Sequence, residues 1–407
     1  MRRPAGQSRA AIAFIVVTLA LDAIGFGLIM PVMPALLREV TGGDLAQAAL
    51  WGGVLVGGFA VMQFLCGPVI GNLSDRFGRK PILLASLGVL AGDYVILTLA
   101  GSVWVIFLAR LINGAASSTY GTSMAYISDI STPQEKAQRF GLVGAAFGAG
   151  FVFGPAIGGL LSEYGVRAPF IAAAVVSAAN MVFGALVMRE SLKPDDRRPF
   201  SWRRANPFGA FKHIGQLPGL GRYLTIFTIH EFAFVVYPII WAYFAIARFD
   251  WTPGQVGLSL ALYGVGWVFV QGLLIRLVIA QLGRRAAMMI GFVAGFAAFV
   301  MLIWLENGFW ALMMVPVSAL AGLVTPALRA EMSDMVPAAQ QGELQGALAS
   351  LLAVGMIVAP FVYTSVFAQF TGAGALWFLP GGVFAIPAVL TMISFFLLRA
   401  TPERTTT

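Results

Sequence analysis

Apolar residues arrive in twelve long blocks, at approximately 12–37, 47–70, 81–101, 103–126, 140–162, 168–188, 223–246, 255–279, 286–305, 308–328, 344–368 and 375–398. An α-helix needs about 20 apolar residues to cross hydrocarbon, and each block supplies that length. The pattern predicts a polytopic, all-helical membrane protein. The longest polar interval, about 189–222, holds Lys193-Pro194-Asp195-Asp196-Arg197-Arg198 and Arg203-Arg204. It reads as a cytoplasmic connector that can lie on the membrane surface. It divides the chain into an N-terminal bundle (1–188), a linker (189–222) and a C-terminal bundle (223–407), six spans on each side.

The two bundles repeat. A single gapless shift of 205 positions carries Gly78-Arg79 onto Gly283-Arg284, Ser128-Asp129 onto Ser333-Asp334, Gly141 onto Gly346 and Pro155 onto Pro360. Four landmarks on one offset point to a duplicated six-helix unit.

Composition agrees. Of 407 residues, 59% are hydrophobic and 11% charged, and mean hydropathy is +0.84. A soluble chain carries roughly 25% charged residues. The net charge of +8 raises the question of a nucleic-acid partner, but its distribution argues against one. With both termini inside, cytoplasmic segments hold 22 Lys/Arg against 10 acids, and the opposite side holds three (Arg38, Arg167, Arg248) against five acids. That asymmetry is the positive-inside rule. Cys66 is the only cysteine, which excludes an internal disulfide and a thiolate metal site. His213 and His230 are not at metal-ligand spacing. The basic Met1-Arg2-Arg3 leads into an apolar run too long for a signal-peptide core, so that run reads as a retained first helix.

Residues 71–81 form the densest polar turn, Gly71-Asn72-Leu73-Ser74-Asp75-Arg76-Phe77-Gly78-Arg79-Lys80-Pro81. Arg76, Arg79 and Lys80 anchor the cytoplasmic surface. Asp75 can pair with them or cap a helix N-terminus. Gly71 and Gly78 allow close backbone approach. In the fifth block Gly150, Gly154 and Gly158 recur every fourth position, one face of a helix, where small residues let helices touch. Pro155 lies among them and favours a kink.

Ionisable groups inside spans are costly and are functional candidates by default. Asp22 sits deep in the first block, Asp93 in the third and Glu231 in the seventh, with Arg110 in the fourth. Arg110 reads as a positive partner for Asp22 or for a helix-end carbonyl. A carboxyl group exposed alternately to two compartments can take a proton on one side and release it on the other. A fixed interhelical hydrogen bond is the alternative for each acid. His230, beside Glu231, is grouped with them as a titratable neighbour, although packing alone would account for it. Aromatics crowd the seventh and eighth blocks. Tyr237, Trp241, Tyr263 and Trp267, together with Asp93, are candidates for an apolar cavity with few polar groups; interfacial or lipid-facing placement is the alternative.

The 71–81 turn resembles the signature loop of the major facilitator superfamily. Gly150–Gly159 is similar to the antiporter motif of its drug/proton exchangers. Leu21-Asp22 through Pro31 resembles the family's first-helix motif, and Arg110 with Asn113-Gly114 resembles the fourth-helix motif, whose Arg is tied to proton transfer. Gly92-Asp93-Tyr94, Ala125–Ile130, Ala168-Pro169-Phe170, Gly257–Leu260 and Gln341–Gly346 resemble the tetracycline/proton antiporters. The resemblance implies the major facilitator fold, twelve transmembrane helices in two pseudo-symmetric six-helix bundles around a central cavity. It places Asp22 and Asp93 on the transport path and makes the Gly71–Pro81 loop a latch between halves. Asp129 and Arg139 would belong to cytoplasmic charge pairs that follow the conformational state. One departure stands out: 290–296 carries no acid where the resembling exporters have one, Gly295 falling nearest, while this chain offers His230-Glu231 instead.

No Walker loop, metal-ligand cluster or nucleophile–base pair is present in the sequence. The expected function is therefore proton-coupled export of a small hydrophobic or amphiphilic compound from the bacterial cytoplasm, across the inner membrane, by alternating access. The chain is expected to act as a monomer, with substrate, protons and lipid as partners, no nucleic acid, and no cofactor beyond the proton gradient. Uptake of a metabolite or sugar by a facilitator or symporter is the rival reading, and a membrane-embedded enzyme the remote one.

Overall fold

The computed structural model describes residues 5–210 and 219–401. Met1-Arg2-Arg3 and His213 lie outside them. In chain order the helices are α1 (Ala5–Ile29), α2 (Met33–Thr41), α3 (Leu45–Phe77), α4 (Arg79–Leu99), α5 (Val103–Ala116), α6 (Thr119–Ile130), α7 (Pro133–Leu161), α8 (Ala168–Val187), α9 (Gly221–Phe234), α10 (Val236–Phe249), α11 (Pro253–Phe269), α12 (Ile275–Trp304), α13 (Gly308–Leu320), α14 (Val324–Asp334), α15 (Gln341–Thr371) and α16 (Ala385–Arg399).

Ten of the described helical stretches are long and apolar enough to cross a membrane. Two local events separate that count from the twelve apolar blocks. The block at 103–126 is broken at Ser117 and Ser118 into α5 and α6, of 14 and 12 residues, each short of a span. The blocks at 255–279 and 286–305 stand in one continuous stretch, Pro253–Trp304, bent where Gly283 takes φ +83°. Proline explains two further breaks. Within the first block α1 ends at Ile29, just ahead of Pro31, and a new short helix starts at Met33. The seventh block is interrupted at Val235, because the Pro238 ring cannot coexist with a helical carbonyl at Phe234.

The charged turn is shorter than its sequence suggests. Helix α3 runs on to Phe77 and α4 begins at Arg79, so Gly78 alone makes the turn, with φ +109° and ψ 165°. Gly71 lies within α3 with open space at its Cα. Close approach therefore holds for Gly78 and not for Gly71.

By packing, Met1–Gly42, Val54–Pro207 and Thr252–Ala261 form one compact unit, and Gly43–Gly53, Phe208–Trp251 and Leu262–Thr407 the other. The start of α3 thus packs with the second unit and the start of α11 with the first. In the first unit, the Gly150, Gly154, Gly158 face of α7 lies against α1. A methyl placed on Gly154 would stand 2.7 Å from the Ile24 carbonyl oxygen and 3.0 Å from Gly27 Cα. The buried core of this unit includes Phe14, Leu19, Leu83, Leu87, Tyr126 and Met188. In the second unit Ile226, Phe227, Phe292, Leu328, Met332 and Leu344 play that part. Large apolar side chains also face outward, Leu99 at 74% and Leu186 at 81% exposure, as expected where the solvent is lipid and helix contacts rely on close packing.

The start of the linker is held against the first unit. The Ser191 hydroxyl donates to Asp129 at 2.9 Å, the Arg198 N–H to the Asp75 carbonyl at 3.1 Å, and the Asn72 amide to the Ser201 carbonyl at 3.1 Å.

Candidate functional site

In the first unit, Arg110 and Asn113 are one turn apart on α5 and both reach Asp93 on α4. The guanidinium lies 2.9 Å from Asp93 Oδ2, and the Asn113 amide donates to the same oxygen at 2.8 Å. Asp93 is 2% exposed. Its other oxygen, Oδ1, and Arg110 Nε are buried without a hydrogen-bond partner. The expected partners of Arg110, Asp22 or a helix-end carbonyl, are thus corrected: the cation is committed to Asp93. Asp22 is half-buried on α1, with no hydrogen bond or ion pair to any described residue. Tyr94 reaches α1 from α4. Its hydroxyl lies over Gly25, where any side chain would collide with it, one turn along α1 from Asp22. It is within electrostatic reach of Asp22, Asp93 and Arg110.

A second polar centre occupies the other unit. Thr325 Oγ1 donates to Glu231 Oε1 at 2.6 Å. One turn along α14, the Arg329 guanidinium lies 5.4 Å from the Phe227 ring and acts electrostatically on Glu231. His230 points elsewhere. It is buried, its ring 4.6 Å from Phe234 and 5.5 Å from Phe292, and Nδ1 has no partner.

Around it the aromatics pack into one cluster. Tyr237 lies 5.6 Å from Tyr263 and 5.3 Å from Phe299, and its hydroxyl meets the Ser318 hydroxyl at 3.3 Å. Trp241 is buried beside Phe244, 5.8 Å away. Trp267 stands apart, 41% exposed, against Gly322. Gly295 lacks room for an acid: a Cβ there would lie 2.8 Å from the Phe234 ring.

At corresponding helix ends of the two units the charges form two related sets. Arg79 bonds Asp75 at 2.6 Å and Asp129 at 3.2 Å, and Arg204 stands 3.9 Å from Asp75. In the repeat, Arg284 bonds Asp334 and lies 3.7 Å from Glu331. The cap of α4 is Glu190 rather than Asp75. Its carboxylate accepts the Arg79 and Lys80 N–H groups at 2.8 and 3.1 Å, where the helix dipole favours an anion. Arg139 pairs with Glu135 at 2.9 Å and donates to the Ile130 carbonyl at 3.0 Å; Asp129 is not its partner. The Arg76 guanidinium lies 5.1 Å from the Phe77 ring.

Three contributors escape sequence reasoning, Thr325, Arg329 and Glu190, and Tyr94 is named there only within the Gly92-Asp93-Tyr94 stretch, without a role. Arg329 falls one residue beyond the tenth apolar block, and Glu190 falls at the start of the linker. Only for Arg329 was a signal available, a cation one turn after a threonine at the edge of a span.

A multi-pass helical bundle with an ion pair buried between its helices has the make-up of a membrane transporter. The sequence pattern of the Major Facilitator Superfamily matches residues 15–360, and the chain belongs to that family. It is 36% identical to the tetracycline resistance protein, class C, of Escherichia coli, over 93% of this chain and 96% of that one. It is 34% identical to the class G protein of Vibrio anguillarum, over 97% and 98% of the two chains. The fold matches that of the nucleoside transporter NupG with a TM-score of 0.74, at 16% identity and over 97% and 98% of the two chains.

Proposed function

We propose that this protein exports a small hydrophobic or amphiphilic compound in exchange for protons, by alternating access, from the cytoplasm across the bacterial inner membrane, with both termini cytoplasmic. The observation that carries the reading is the unpaired Asp22 carboxyl. It stands near a tyrosine hydroxyl, while Arg110 is held by Asp93. An ionised carboxylate without a counter-ion is costly in hydrocarbon and marks a functional position. A route to water on either side would let Asp22 exchange a proton. Tyr94 can pass the change in charge to the Asp93–Arg110 pair, whose rearrangement would accompany rocking of the helices. The full-length likeness to proteins named for tetracycline resistance supports drug export as the physiological direction, with tetracyclines the first substrates to try.

The test is Asp22→Asn in everted vesicles, with substrate-driven proton release as the readout. Proton exchange should vanish while the protein remains in the membrane. Full exchange by the variant would reject Asp22 as the carrier.

A further inference from the structure

We propose that Arg329, flanked by Thr325 and Glu231, is a substrate-binding residue that takes an oxyanion of an amphiphilic ligand, an enolate, phenolate or carboxylate. The proposal rests on the export reading and adds a charge requirement to it.

The geometry is a two-rung ladder. On α9, Phe227 and Glu231 are one turn apart; on α14, Thr325 and Arg329 are one turn apart. The chain elements run so that Thr325 meets Glu231 at 2.6 Å and Arg329 meets the Phe227 ring at 5.4 Å. Each helix thus offers one contact per turn to the other. Glu231, Thr325 and Arg329 are all half-buried, which leaves the ladder partly open.

Arg329 is the unusual member. Its Nε is buried and has no acceptor, and it forms no hydrogen bond or ion pair with a described residue. No nearby acid bonds it directly. Glu231 gives Oε1 to Thr325 and reaches Arg329 only at longer range. Glu331, two residues on, is 3.7 Å from Arg284. A guanidinium offers its donors in a fixed fork suited to oxyanions. Left with an empty donor in a poorly solvated place, it costs free energy until an anion arrives. The Phe227 face holds the cation in place without using its in-plane donors. The terminal nitrogens, unlike the buried Nε, are not closed off and therefore remain free for a ligand. Glu231 competes with that ligand when ionised, so loss of its charge strengthens anion binding.

The test uses purified protein in detergent with no proton gradient, and two fluorescent probes on one skeleton. 8-Anilinonaphthalene-1-sulfonate is anionic; N-phenyl-1-naphthylamine is neutral. One charge-assisted contact corresponds to about tenfold or more in affinity. The wild-type protein should prefer the anionic probe, and Arg329→Gln should remove about tenfold of that preference while leaving the neutral probe unchanged. Arg329→Lys should keep part of it, and Glu231→Gln should tighten the anionic probe alone. The proposal is overturned if the wild type shows no preference, if Arg329→Gln retains it, or if both probes weaken together. Should Arg329→Gln fail to fold, Arg329→Lys and Glu231→Gln decide the matter alone. Because no proton moves in this assay, failure of Asp22 exchange with the charge preference intact would sink the export reading only.

Discussion

The Arg110 guanidinium and the Asp93 carboxylate meet at 2.9 Å between α5 and α4, with Asn113 as third member. Removing one partner of a buried pair leaves a bare charge and costs about 3–5 kcal/mol, whereas neutralising both is often tolerated. Arg110→Gln should therefore lower thermal stability in detergent strongly. The double variant Arg110→Gln with Asp93→Asn should recover most of it. On the proposed exchange mechanism, transport by the double variant should be lost even though its stability recovers. A double variant no more stable than Arg110→Gln would show that the pair does not set the stability of this region.

The α1–α7 contact yields a graded series. Gly154 and Gly158 touch backbone atoms of α1, whereas Gly144 and Gly148 face open space. Overpacking a close contact costs about 1–3 kcal/mol or more. Gly154→Leu and Gly158→Leu should reduce the yield of folded protein in size-exclusion chromatography, and Gly144→Ala and Gly148→Ala should not. Equal tolerance at all four positions would contradict the contact.

Much of this organisation was legible along the chain because charge is rare inside apolar runs. Asp22, Asp93, Arg110 and Glu231 stand out against their neighbours, and the 205-residue shift marked Arg284 and Asp334 through Arg79 and Asp129. Pairing was not legible. Nothing along the sequence says that Arg110 faces Asp93 and not Asp22, since the choice depends on how α4, α5 and α1 rotate about their axes. Glu190 caps α4 only because segments 110 positions apart in sequence meet at Gly78. Arg329 falls just past its apolar block and so looks, along the chain, like one more cytoplasmic anchor. Helix breaks were partly readable, at Pro31 and Pro238, but the break at Ser117 and Ser118 carries no proline.

Gly78 and Gly283 occupy the same glycine-only backbone region, at φ +109° and +83°, yet their surroundings differ. Any other residue there carries strain of about 1–3 kcal/mol. At Gly78 a Cβ would also displace the Glu190 carboxylate, and at Gly283 it meets nothing. Gly283→Ala should lower thermal stability by the strain alone, and Gly78→Ala by more. Adding Glu190→Ala to Gly78→Ala should cost little further, because the cap is already lost. Equal effects of the two single substitutions would show that the cap contributes nothing.

Gly295 offers the sharpest test of why α12 has no acid. Its Cα faces the Phe234 ring, with Cζ 2.8 Å from where a Cβ would stand, and Phe234 in turn packs on Phe299 at 5.1 Å. Gly295→Asp should therefore both clash and place an uncompensated carboxylate beside a buried aromatic cluster. Phe234→Ala opens the space but, like other large-to-small changes at a packed phenylalanine, costs about 3–5 kcal/mol alone. The double variant should be more stable than the sum of the two single losses predicts, since removing the ring relieves the aspartate's collision and the aspartate fills part of the space left by the ring. Such coupling is read from a thermal-unfolding double-mutant cycle. Strict additivity would mean that Phe234 does not exclude the acid.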